Sequence, residues 1–209
     1  VGEKVNAFTI LGDVVGVRDE RRAERDRLVL KTAGELFWSQ GYAATTIPQI
    51  AARARVAVGT VAKVGSKDAL FLRTWEEGST EISLRLIADA GATSDNVTQR
   101  VWEYLSQMIE ATISMPQLIR DYFVAYLRAA EHEANIARVA TVLDALTELI
   151  SRDRLTRESA RLAAWTIWLA YSGLAYGLAA NTYTPEQARD VMRAIVDAQC
   201  APFEGKEAE

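Results

Sequence analysis

Residues 45–67, TTIPQIAARARVAVGTVAKVGSK, place two helix starts and two helix stops in one short run, and few folds accept two helices that short side by side. Thr46 with Gln49 three residues on has the spacing of a capping box. Pro48 falls in the first turn, where a missing N–H costs little. Ile50, Ala51 and Ala54 then repeat at helical spacing. Residues 55–59 break the pattern, a second short helix over about 58–64 follows, and Gly65-Ser66 ends it. Two short helices joined by a turn of a few residues make a helix-turn-helix, whose second helix can enter a DNA major groove.

The flanks read as longer helices. Over 21–40, Val29, Leu30, Ala33, Leu36 and Phe37 share one face. Gly41 closes that helix as a residue free to take positive φ, and Tyr42 packs beneath the short pair. Ser66 caps a helix over 67–90. Further helices span 95–114, 116–131 after the Met115-Pro116 break, 133–151, 156–180, and 185–199 behind the capping box Thr184–Gln187. The class is all-α, with about nine helices: a three-helix head over 21–75 and a six-helix body over 76–200. Residues 1–20 show no period and read as a flexible arm; 201–209 reads as a polar, frayed tail.

Charge supports the same division. The chain is −4 overall, yet residues 18–75 carry 11 Lys and Arg against 6 Asp and Glu, and 76–209 carry 12 against 20. A basic head on an acidic body suits a head steered to phosphate. Single arginines near residues 18–27 also fit a solvated helix face laced with pairs four apart. Cys200 is the only cysteine, which rules out an intramolecular disulfide. Residues 1–17 lack a signal peptide's continuous apolar run, and no stretch suggests a membrane span, so a soluble, cytoplasmic protein is expected. His132, the only histidine, lies between Glu131 and Glu133 and reads as solvated. No phosphate loop, GxSxG or HExxH occurs, so no catalytic site, metal or cofactor is expected.

Ala33, Leu36, Phe37, Gly41-Tyr42, Ala44-Thr45-Thr46-Ile47, Ile50-Ala51, Ala54, Val56, Gly59-Thr60 and Ser66-Lys67-Asp68-Ala69-Leu70 together resemble the N-terminal domain of the TetR-like (tetracycline-repressor) family of one-component transcription regulators. The family usually has Gly where Arg55 stands and Ser where Ala57 stands. It also carries aromatics in the run that here reads Val61-Ala62-Lys63-Val64-Gly65. The resemblance implies a homodimeric regulator that binds double-stranded operator DNA and a small-molecule effector, most often as a repressor. It places Thr46, Ala57, Val58, Gly59, Thr60, Val61, Lys63 and Lys67 at the DNA, with Ala57, Val58 and Val61 near base edges. The altered reading helix keeps a second reading open: the same fold acting as a ligand-binding or protein-interaction module without sequence-specific DNA binding.

For the body, the resemblance implies an effector pocket among the middle helices. Trp102, Met108, Phe123, Tyr126, Trp165 and Trp168 are its candidate walls, and Gln107, Thr112, Asn135 and Thr166 its candidate polar groups. Walls rich in Trp and Tyr point to an aromatic or lipophilic effector. Ordinary core packing is the competing account of each residue. The helix over 156–180 is apolar around its whole circumference and must be buried on more than one side. The resemblance makes it half of a dimer interface, with Trp168, Gly173, Tyr176, Gly177, Val191 and Ile195 contributing.

Overall fold

The computed structural model describes residues 7–129, 133–151 and 157–204, the side chains of 7–18 and 133–135 excepted. Among the described residues it is all-α, with nine α-helices. The chain divides into two compact units, Val1–Thr74 and Trp75–Glu209.

Unit 1 holds α1 (Ala7–Ala44), α2 (Ile47–Ala54), α3 (Val58–Val64) and the start of α4 (Lys67–Gly91). Of residues 1–20, expected as a flexible arm, 1–6 lie outside the described residues and 7–20 are the first part of α1. Gly12 and Gly16 break the apolar period in the sequence there, which is why the period test misses it. Gly41 interrupts α1 at φ 85°, ψ 164°, the positive φ expected of it. The core packs Val29, Ala33 and Phe37 of α1 with Ile50, Ala51, Val61, Leu70 and Phe71, all nearly inaccessible. Tyr42 joins it, its ring 4.9 Å from that of Phe71, which lies 5.1 Å from Phe37.

The local signals hold. Thr46 caps α2 through Gln49 N while Gln49 Oε1 accepts from Thr46 N at 2.8 Å, so the capping box is complete. Arg55 ends α2 in the left-handed region, φ 56°, ψ 43°. That conformation explains a glycine preference there, because a side chain in it carries a steric cost. Ser66 Oγ accepts from Ala69 N at 3.2 Å and opens α4.

Unit 2 holds the rest of α4, α5 (Val97–Ser114), α6 (Pro116–Arg128), α7 (Glu133–Ile150), α8 (Arg157–Ala179) and α9 (Pro185–Cys200). Asn96 caps α5, accepting from Gln99 N at 2.7 Å, so the helix begins two residues after the expected 95. Thr184 and Gln187 form the second capping box, at the start of α9. Tyr104, Leu105, Ile109, Leu146, Ile150, Ile167, Met192 and Val196 centre one continuous core, with α8 packed against α5, α6, α7 and α9. The start of the expected polar tail is docked instead. A 3₁₀ turn, Ala201–Phe203, buries Phe203, and Glu204 Oε1 accepts from Thr98 N at 2.6 Å, capping α5 from outside its own sequence.

By length and composition α8 is the one described helix apolar enough to cross a membrane, which corrects the expectation that no stretch approaches it. It is packed as the central helix of unit 2, a placement that passes the same test.

Two backbone positions test unit 1. A Cβ on Gly41 meets nothing within 4 Å, so Gly41→Ala isolates the cost of the backbone conformation and should lower stability by about 1–3 kcal/mol. Arg55→Gly should raise it by up to about 1 kcal/mol. Native-state hydrogen exchange of the α2 and α3 amides reads both, and equal protection in all three proteins would contradict the account. In unit 2, Leu146→Ala should cost about 2–5 kcal/mol in urea denaturation, because Leu146 is fully buried.

Candidate nucleic-acid interface and ligand cavity

In unit 1 the sequence singles out α3 and its flanks. Ala57, Val58, Gly59 and Lys63 are exposed, with Val58 at 49%, and Thr60 is half-buried. They form an outer surface that is small, mostly apolar and carries one cation. Val61 was expected near base edges and is instead fully buried, because it faces back onto α1 and α2. Thr46 is exposed but committed to its cap. Lys67 is held rather than loose: Nζ sits 4.1 Å over the Tyr42 ring and donates to Ala43 O at 3.4 Å. Tyr42 in turn donates its hydroxyl proton to Asp68. The departures from the family's residues leave the head's core and the α2 cap in place, but Ala57 stands at the N-cap of α3 and gives it no side-chain cap. The small groups of this outer surface can meet thymine methyls but cannot pair with guanine, which leaves Lys63 as the one side chain among these able to do so.

Unit 2 holds a half-open cavity of about 270 Å³. Four of the six expected wall residues line it: Met108, Phe123, Tyr126 and Trp168. Trp102 does not, lying under the Arg193 guanidinium of α9 at 5.1 Å. Nor does Trp165, which is 39% exposed on the outer side of α8. The structure adds Trp75 and Ser79 from α4, Ile119 and Tyr122 from α6, Arg138 and Val139 from α7, and Tyr171, Ser172 and Ala175 from α8. Aromatic rings make most of the wall. Trp75 and Tyr122 lie 5.3 Å apart, Tyr122 and Phe123 5.5 Å, and Trp168 and Tyr171 5.9 Å.

The polar candidates fare differently. Thr112 is buried and shares a 3.0 Å hydrogen bond with the Tyr171 hydroxyl, so it orients a wall residue from behind. Gln107 is exposed and donates to Glu103 O, and Thr166 donates to Leu162 O; neither lines the cavity. The Asn135 side chain and His132 lie outside the described residues.

Arg138 is the charged lining residue that sequence reasoning missed. It is half-buried, and its guanidinium carbon lies 5.5 Å from the Trp168 ring. Burial pushes the Tyr122 phenol up, with the charge and hydrogen bond of Arg138 pulling it partly back. Burial likewise raises Tyr171 and Tyr104, so all three phenols stay protonated at neutral pH. Cys200 is buried and its thiol is pushed up to about 12, chiefly by desolvation, which makes it a poor redox sensor.

Of the six residues expected at a dimer interface, Tyr176 is 56% and Val191 46% exposed, and Gly173 is exposed between the two apolar ends of α8. Trp168 faces the cavity and Gly177 is buried, with Tyr183 where its Cβ would stand, so both look inward. Ile195 is half-buried against the core. The outer stripe of α8 is instead Leu162, Trp165, Leu169, Gly173 and Tyr176, with Leu162 at 69% and Leu169 at 62%.

Residues 29–74 match the family described as bacterial regulatory proteins, tetR family. No curated protein sequence matches the chain. Among solved structures it is similar to Thermus thermophilus FadR, a TetR-family transcriptional repressor solved with lauroyl-CoA, at 19% identity and TM-score 0.60, covering 88% of this chain and 97% of that one. It is similar to a TetR transcriptional regulator from Rhodococcus sp. RHA1 at 17% identity and TM-score 0.57, covering 88% and 98%. A protein of Pseudomonas aeruginosa PAO1 described as a candidate transcriptional regulator aligns at 24% identity and TM-score 0.56, covering 86% and 91%. By sequence, residues 29–74 match the tetR family, and along most of its length the chain shares the all-helical fold of these solved proteins, with a helix-turn-helix in unit 1 and a helical unit 2.

Proposed function

We propose that the chain is a homodimeric, one-component transcription regulator that binds operator DNA in the cytoplasm. In this reading it is a repressor released by a small aromatic or lipophilic effector. The observation that carries the reading is the coexistence, in one chain, of a head that matches the tetR family and has an exposed outer face on α3, and a body that holds a half-open aromatic cavity. No chemistry is needed for such a task. A ligand acts by binding one conformation better than another.

The DNA contacts fall to Ala57, Val58, Gly59, Thr60 and Lys63 on α3, with Thr46 and Lys67 at the phosphates. With one cation on that outer face, specificity rests on small apolar contacts and on DNA shape, and affinity on phosphates. The effector occupies the cavity between α4, α5, α6, α7 and α8. The second copy covers the outer stripe of α8 together with Val191 of α9, the arrangement a two-fold operator asks for.

The sparse charge on α3 also supports the module that kept the fold and lost sequence reading. Selection from a random duplex pool separates the two. The regulator should enrich a palindrome and bind it at least ~10³-fold more tightly than scrambled DNA at physiological salt. Lys63→Ala should then weaken all sequences alike and reduce the salt slope by about 1. Well-folded protein that enriches nothing would favour the module.

The interface has its own test. Leu169→Glu puts a charge in the middle of the exposed stripe and away from the core. It should turn a dimer into a helical monomer, read by light scattering and circular dichroism. A variant that stays dimeric would move the interface off α8.

A further inference from the structure

We infer that the cavity takes an uncharged aromatic compound bearing a carbonyl, whose oxygen accepts from Ser172 and Trp168 of α8. The inference deepens the effector reading above and rests on it. Its first support is where the wall's own protons go. Thr112 Oγ1 donates to Met108 O at 2.9 Å, so its one hydroxyl proton is committed and the Tyr171 phenol donates to it at 3.0 Å. Ser79 Oγ donates to Glu76 O at 3.4 Å. Arg138, Tyr122 and Tyr126 are all engaged within the protein, and Arg138 hydrogen-bonds the Tyr122 phenol.

The second support is what remains. Ser172 and Trp168 line the cavity, and neither the Ser172 hydroxyl nor the Trp168 indole N–H has a hydrogen-bond partner among the described residues. Thr112, Thr147 and Thr166 each return a hydroxyl to the carbonyl four residues back, and Ser172 does not. Four apart on α8, Trp168 and Ser172 stand one turn from each other on the same face. An indole N–H only donates and a hydroxyl can donate, so what the pair lacks is an acceptor. A carbonyl oxygen, with two lone pairs, supplies one to each.

The third support is the rest of the wall. Trp75, Tyr122 and Phe123, with ring centroids 5.3 and 5.5 Å apart in turn, present ring faces and edges to a planar apolar body. A volume of about 270 Å³ sits at the lower limit for ligand pockets and suits one or two fused rings rather than a long chain. A carboxylate would have to compete for an Arg138 already engaged within the protein, and a charge costs far more to strip of water than a carbonyl does.

Three probes on one ring system test this: 2-acetonaphthone, 2-ethylnaphthalene, which lacks the carbonyl, and 2-naphthoate, which adds a charge. Equilibrium dialysis against the full chain at neutral pH should place acetonaphthone at least ~10-fold above naphthoate in affinity. Ser172→Ala should weaken acetonaphthone by about 3–10-fold, the worth of one hydrogen bond, and change ethylnaphthalene less than ~2-fold. The variant keeps its fold, because alanine is the better helix former and Ser172 gives up no bond within the protein. Circular dichroism verifies that, and the wild-type comparison stands without it. Naphthoate bound as tightly as acetonaphthone would overturn the uncharged class and leave the cavity as a ligand site. A Ser172→Ala variant that weakens both neutral probes alike, or neither, would overturn the carbonyl contact. Folded protein that binds none of the three would overturn the inference together with the effector reading.

Discussion

A helix with no polar face has to be covered on both sides, and α8 meets that demand only halfway within one chain. Its inner side, Ala160, Ala163, Ala164, Ile167 and Trp168, is buried against α5, α6, α7 and α9. Each large apolar group taken from water there contributes about 1.5–3 kcal/mol, and the small ones let the neighbouring helices approach. The outer side keeps Leu162, Leu169 and Tyr176 more than half exposed in the order of their helical repeat. Contiguous apolar surface of that kind marks an interaction site more often than a stable solvent face. The remainder of unit 2 follows from α8: which helices surround it, where the cavity opens beside Trp168 and Tyr171, and which surface is left for a partner.

The cavity follows from side-chain size along that inner stripe. Trp168 and Tyr171 are large, whereas Ser172 and Ala175 are small and also line the space. Aromatic groups on α4 and α6 close the far side without filling it. Thr112 sits behind Tyr171 and fixes its hydroxyl, so one wall is held by a buried hydrogen bond rather than by packing alone. Neutral phenols, two serines and Arg138, which lies over the Trp168 ring, are the polar groups of a mostly aromatic wall.

Signals that act between residues three or four apart were legible in the sequence. Both capping boxes, the proline starts, the positive φ of Gly41 and the Ser66 cap all appear where the spacing puts them. Signals that depend on a distant partner were not. Glu204 capping α5 and Phe203 entering the core require the chain to return over a hundred residues later. Which tryptophans face the cavity depends on helix rotation: Trp165 and Trp168 lie three apart on α8, yet one looks out and the other in. Val61 turned inward because a seven-residue helix has little surface to spare once it contributes to the core. Arg138 was missed because a lone arginine on a helix reads as solvated until its neighbours prove to be Trp168 and Tyr122.

Binding alone does not make a switch. A ligand with equal affinity for two conformations shifts neither, and moving an equilibrium from 1:99 to 99:1 takes about 5.5 kcal/mol of differential affinity. Within the proposed function, that difference has to reach α4, the helix that starts in unit 1 and ends in unit 2. Trp75 and Ser79 put α4 into the cavity wall, and Trp75 stands at the first residue of unit 2. Any conformation that moves Trp75 and Ser79 relative to the walls on α6, α7 and α8 changes the fit of what sits among them. A ligand that touched the α6, α7 and α8 walls alone would gain nothing from that movement and would lose the differential. Contact with the α4 wall is thus what turns occupancy of the cavity into a force on α4.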